Sequence, residues 1–117
     1  MGRIGKWFAA VLVGTALLVG GCSQPDPGRP SEARMLFERG EATLLDVRTV
    51  QEFNEGHVAG AVNIPVQVLR ERMNELPKDQ TVVVYCRSGK RSAAAKQLLD
   101  AAGFSRVIDL GPMPAWK

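Results

Sequence analysis

Apolar residues along the chain fall into short runs of two periodicities, and the two kinds of run alternate. Ser31 stands where a helix cap is expected, with Ala33, Leu36 and Phe37 on one face and Gly40 as the stop. This predicts a helix through about Glu38. Thr43 to Val47 (TLLDV) reads as a short buried strand. Thr49-Val50-Gln51-Glu52 matches a capping box, in which a hydroxyl and a carboxylate satisfy each other's backbone N–H groups, and Gly56 closes the short helix that follows. Ala61 to Ile64 predicts a brief strand ended by Pro65, and Val68, Leu69, Met73 and Leu76 recur at helical spacing until Pro77. Thr81 to Tyr85 (TVVVY) is apolar and β-branched, the best central strand in the chain. Ser92 to about Ala102 is an Ala- and Leu-rich helix stopped by Gly103, and Arg106 to Leu110 (RVIDL) is a last strand. Strands separated by helices predict an α/β fold, a mostly parallel sheet of four to five strands with helices on both faces.

The N-terminus follows a different pattern. Arg3 and Lys6 precede an uncharged apolar stretch of 13 residues, Trp7 to Val19, and the small residues Gly20 and Gly21 come before Cys22. A basic start, an apolar middle and small residues at a cleavage point are the layout of a secretory signal peptide. A membrane-spanning helix needs about 20 apolar residues, more than this run supplies. Val19-Gly20-Gly21-Cys22 resembles the lipobox of bacterial lipoprotein signal peptides. The resemblance implies that residues 1–21 are removed and that Cys22 is lipidated. Ser23, where Asp would be the inner-membrane retention signal, points to the outer membrane, facing the periplasm. Several acyl chains are what stable anchoring requires. The segment Ser23–Pro30 (SQPDPGRP) is too rich in proline and too poor in apolar groups to fold, and reads as a semi-rigid tether.

Composition adds less than it first suggests. The 117 residues carry a formal charge of +3, but Arg3 and Lys6 leave with the leader. Thirteen basic and twelve acidic residues then remain, a charge of +1. The aromatics of the mature part (Phe37, Phe53, Tyr85, Phe104 and Trp116) do not interleave with a basic stripe, which argues against a nucleic-acid partner. One His and two Cys cannot fill a four-ligand zinc site without carboxylates, so neither a metal nor another cofactor is expected. A Cys22–Cys86 disulfide is the competing use of the two thiols.

In a parallel sheet, ligands bind beyond the carboxyl ends of the strands. That directs attention to the segment after TVVVY: Cys86, Arg87, Ser88, Gly89, Lys90 and Arg91, followed by a helix. Backbone N–H groups curling toward the sulfur, the helix N-terminus and the cations Arg87, Lys90 and Arg91 all favour thiolate over thiol. A thiolate in an anion-binding cradle suits an anionic, electrophilic substrate. The plain alternative is a buried structural thiol. The glycine and the cations beside Cys86 favour the nucleophile.

These residues also carry a family resemblance. Leu45-Asp46-Val47-Arg48, Glu52-Phe53, Gly56-His57-Val58 and Gly60-Ala61-Val62-Asn63-Ile64-Pro65 resemble the first signature of rhodanese domains. CRSGKR, Cys86 to Arg91, resembles their active-site loop, and Gly103-Phe104 followed by Val107 and Leu110 continues the pattern. The resemblance covers about residues 31–117, leaving 22–30 as lipidated cysteine and tether. It implies a sulfurtransferase in which Cys86 takes a sulfane sulfur from thiosulfate or a similar small anionic donor. A thiophilic acceptor such as cyanide then removes it. Arg87, Ser88, Gly89, Lys90 and Arg91 would bind the donor, and Asp46 and Arg48 would brace the site. His57, Asn63 and Pro65 would be scaffold.

A non-turnover sulfur relay or sulfur sensor is the alternative reading. A phosphatase or arsenate reductase of related fold is disfavoured, because those use a Cys-x5-Arg loop and here Cys86 and Arg91 enclose four residues. The protein is expected to be a monomer. Two departures from the family pattern stand out. The tether leads almost directly into the first helix, which predicts loss of an edge strand. Gly111-Pro112 stands where the family has Gly-Gly, shortly before Trp116, and this bears on the pocket wall.

Overall fold

The computed structural model describes residues 29–116. The leader, Cys22 and most of the tether lie outside the described residues. From the N-terminal side the elements are α1 (Arg29–Glu38), β1 (Ala42–Asp46), α2 (Val50–Glu55), β2 (Val62–Asn63), α3 (Val66–Arg72), β3 (Thr81–Cys86), α4 (Lys90–Ala101) and β4 (Val107–Pro112). A single 3-10 turn, Met73–Glu75, continues α3. Among the described residues the four strands form one sheet in the order β2-β1-β3-β4, with every pair parallel.

The strands are apolar on both sides because both sides are covered. Leu45, Val47, Val82, Val84, Cys86 and Val107 pack with Leu69 of α3 and with Ala95 and Leu99 of α4. Ala42, Leu44, Val83, Tyr85 and Ile108 face the other way, toward Ala33, Leu36 and Phe37 of α1. Alternation along β3 therefore sends Tyr85 to the α1 side and Cys86 beneath the start of α4.

Three boundaries differ from the sequence expectation. Helix α1 begins at Arg29, so Ser31 lies inside it and is not its cap, and Pro30 belongs to the helix rather than to the tether. Proline lacks only an N–H that the first helical turn leaves unpaired anyway, and its fixed φ suits that turn. Helix α4 begins at Lys90 rather than Ser92, and β4 runs on to Pro112. Val68 does not join the core: it is exposed, and Leu69 and Leu76 carry the burial of that segment. The capping box forms as expected, with Thr49 Oγ1 accepting from Glu52 N–H at 3.1 Å and Glu52 Oε1 accepting from Thr49 N–H at 3.0 Å.

Candidate active site

Cys86 ends the central strand and is wholly buried, 0% exposed. The chain then turns through Arg87, Ser88 and Gly89 into α4. Gly89 caps the helix with φ +103°, a conformation that a side chain would strain. The turn aims the Gly89 N–H at Cys86 Sγ, 2.9 Å away. In the thiol form Sγ–H donates to Ser92 Oγ at 3.5 Å, and the Ser92 hydroxyl donates to the Gly89 carbonyl at 3.1 Å.

Burial pushes the Cys86 thiol up, but hydrogen bonds from the Ser92 hydroxyl and from the backbone of Ser92, Gly89 and Ser88 more than offset it. The thiol therefore sits below its ordinary value. The leading causes of the lowering are hydrogen bonds, with the three nearby cations behind them. Ionisation asks the Ser92 hydroxyl to turn from the Gly89 carbonyl to the sulfur, since one proton cannot serve both. Ser92→Ala removes a donor to the thiolate. It is expected to move the acid limb of the kcat/KM–pH profile to higher pH, with activity at high pH largely kept. Ser92→Thr, which keeps the hydroxyl, should restore the profile.

The cations divide. Arg91 turns onto Glu52 of α2 in a two-point contact, Nη1 to Oε1 at 2.7 Å and Nη2 to Oε2 at 3.0 Å. This carboxylate also belongs to the capping box, so its position is fixed twice. The Arg91 and Thr49 hydrogen bonds hold it at about 2, well below the carboxylate range. Arg87 reaches the same carboxylate only at 3.9 Å, and its side chain is 79% exposed. Lys90 is exposed at the first position of α4. Sequence reasoning recognised Glu52 as a cap and as part of the Glu52-Phe53 signature, but missed its contact with the loop. A contact across 39 residues leaves no local pattern.

Asp46 and Arg48 form a buried ion pair at the end of β1, with Nη2 to Oδ2 at 2.6 Å and Nε within 3.0 Å of both carboxylate oxygens. Arg48 N–H also donates to Asp46 Oδ1 at 2.9 Å, and Arg48 Nη2 donates to the Gly56 carbonyl at 2.7 Å. The guanidinium lies over the Tyr85 ring, 5.6 Å from its centroid. The pair thus braces the end of α2 against the sheet. Asn63 Nδ2 ties the same turn by donating to the carbonyls of Asp46 and Arg48, both at 3.0 Å. His57 is exposed and stacks on Phe53 at 3.6 Å, with Nδ1 held 2.8 Å from the Phe53 carbonyl oxygen. It therefore reads as scaffold.

A cavity of about 380 Å³ opens beside the loop, lined by Arg48, Glu52, Glu55, Gly56, Arg87, Pro112 and Met113. Pro112 is the register partner of Cys86 in the sheet, and so brings the C-terminal segment next to the loop. Gly111 has φ +75°, and its N–H bonds Asp109 Oδ1 at 2.8 Å, which makes the bend that sets Pro112 there. Trp116 leaves the cavity and stacks on Phe37, with ring centroids 6.3 Å apart. Cys86 is not on the cavity wall, so a donor reaches the sulfur only by displacing the side chains that cover it. Among the described residues no group of three or more His, Cys, Asp or Glu is placed to hold a metal ion.

Comparison with known proteins agrees with this geometry. A family model described as Rhodanese-like domain matches residues 29–117. A sulfurtransferase of Allochromatium vinosum is 39% identical over 87 residues, covering 74% of this chain and 81% of that protein. The thiosulfate sulfurtransferase PspE of Escherichia coli is 39% identical over 69 residues, covering 57% of this chain and 66% of that protein. The chain spans between 34% and 81% of the length of these and other curated relatives. A solved structure described as rhodanese with anions, from E. coli, superposes with a TM-score of 0.61 at 34% identity, covering 65% of this chain and 94% of that one. With a parallel sheet delivering one thiol to a cradle of backbone donors, the chain belongs to the rhodanese-like domain family, and its relatives place it among the sulfurtransferases.

Proposed function

We propose that this protein moves a sulfane sulfur from a small anionic donor of the thiosulfate type to a thiophilic acceptor, through a persulfide on Cys86. The observation that carries the reading is the Cys86 thiol at the end of β3, with the Gly89 N–H 2.9 Å from its sulfur and its acidity raised by the surrounding donors. The thiolate attacks the outer sulfur of the donor. A Cys86–sulfur bond forms, the donor's sulfur–sulfur bond breaks, and the electron pair leaves with sulfite. Cyanide then attacks the terminal sulfur of the persulfide anion, giving thiocyanate and the Cys86 thiolate. Charge and atoms balance in both steps, and no redox partner is needed. The loop N–H groups and Arg87 stabilise the charge that develops on the leaving anion. The four residues between Cys86 and Arg91 favour sulfur over a tetrahedral oxyanion.

The wider setting belongs to the same proposal. Residues 1–21 act as a leader, lipidated Cys22 anchors the mature protein to the outer membrane, and residues 31–117 work as a monomeric domain facing the periplasm. The intact mass of the mature protein tests the chemistry. Incubation with thiosulfate should add one sulfur atom, and cyanide should remove it. If no adduct forms, the reading fails. An adduct that cyanide cannot remove points instead to a sulfur relay.

A further inference from the structure

The charges around the cavity do not match a dianion. Arg48 is spent on buried Asp46, and Arg91 is held by both oxygens of Glu52. Of the lining residues that leaves Arg87, 79% exposed, against the carboxylates of Glu52 and Glu55. The opposite wall is apolar: Pro112 and Met113 face the same space, and Met113 is exposed to 42%. We propose that Glu52 determines donor charge, so that the site takes an organic sulfane donor bearing one negative charge in preference to dianionic thiosulfate. This rests on the sulfur-transfer reading above and narrows its substrate class.

The physical reason is competition for one guanidinium. A dianionic donor gains most from a fork of two N–H groups, and Arg91 is the loop residue positioned to supply one. Glu52 occupies that fork, and the capping box keeps the carboxylate from swinging away. A donor with one charge needs only the loop N–H groups and Arg87. Its organic substituent would lie against Pro112 and Met113, where bare sulfonate oxygens would find no partner. The reaction stays balanced for a thiosulfonate: the Cys86 thiolate takes the outer sulfur, and the electron pair leaves with the sulfinate.

Glu52→Gln tests the idea without dismantling the helix. Glutamine serves at this position of a capping box as well as glutamate does. Its amide N–H₂ would face one N–H group of Arg91, donor against donor, which frees the guanidinium. The readout is the ratio of kcat/KM for benzenethiosulfonate to kcat/KM for thiosulfate, with cyanide as acceptor. In Glu52→Gln the ratio should fall by about tenfold, mainly through a lower KM for thiosulfate. Glu55→Gln, at the exposed end of α2, should move it the same way by less. An unchanged ratio in a Glu52→Gln protein that melts like the wild type overturns the proposal. If Glu52→Gln does not fold, an unchanged ratio in Glu55→Gln overturns it equally. Failure of the wild type to form an adduct with either donor would instead refute sulfur transfer through Cys86.

Discussion

Cys86→Ser is expected to lower turnover by about 10³ or more and to abolish the sulfur adduct, with the fold intact. Serine is nearly the same size as cysteine, and the site already holds polar partners for it, the Gly89 N–H and the Ser92 hydroxyl. What changes is the nucleophile. The cradle lowers a thiol into a range where an appreciable fraction is ionised, and the same donors cannot bring an alcohol there. A hydroxyl also forms no persulfide. The measurement pairs intact mass after thiosulfate with thermal unfolding of the same sample. An adduct persisting on Cys86→Ser would place the chemistry on another residue. Among the described residues Cys86 is the only cysteine, so that outcome would point outside the domain.

Asp46→Asn is expected to be the most destabilising single change in the domain, costing about 3–5 kcal/mol. Asp46 is 0% exposed, and its two oxygens receive the Arg48 guanidinium and the Arg48 backbone N–H. Asparagine presents an N–H₂ group to a guanidinium that can only donate, and leaves a buried cation without its counter-charge. The loss is a large share of the roughly 5–15 kcal/mol that stabilises a domain of this kind. It should spread to α2, because Arg48 also holds the Gly56 carbonyl. Urea unfolding measures it as a lower midpoint at unchanged slope. Glu75→Gln, which breaks the exposed Arg72–Glu75 pair, is the contrast and should leave the midpoint where it was. Equal shifts in the two variants would mean that the Asp46–Arg48 pair does not brace the fold.

The amino-acid sequence by itself determined every feature whose cause lies within a few residues. The β-branched run Thr81–Tyr85 required a covered strand. Thr49 and Glu52 dictated the cap of α2. The order of Cys86, Gly89 and the following helix dictated a thiol at a strand end with N–H groups turned toward it. Tertiary structure decided what depends on parallel crossovers, which bring together segments far apart in the chain. It buried Cys86 under α4 rather than leaving it at an open mouth. It moved Arg91 onto Glu52, so the thiol is made acidic chiefly by hydrogen bonds and only secondarily by the cations beside it. It also carried Trp116 to Phe37 and left Pro112 and Met113 at the cavity. A carboxylate that caps its own helix and also neutralises a loop arginine has two partners. Only the local one is written in the spacing of the residues, because the other exists only once the sheet has assembled.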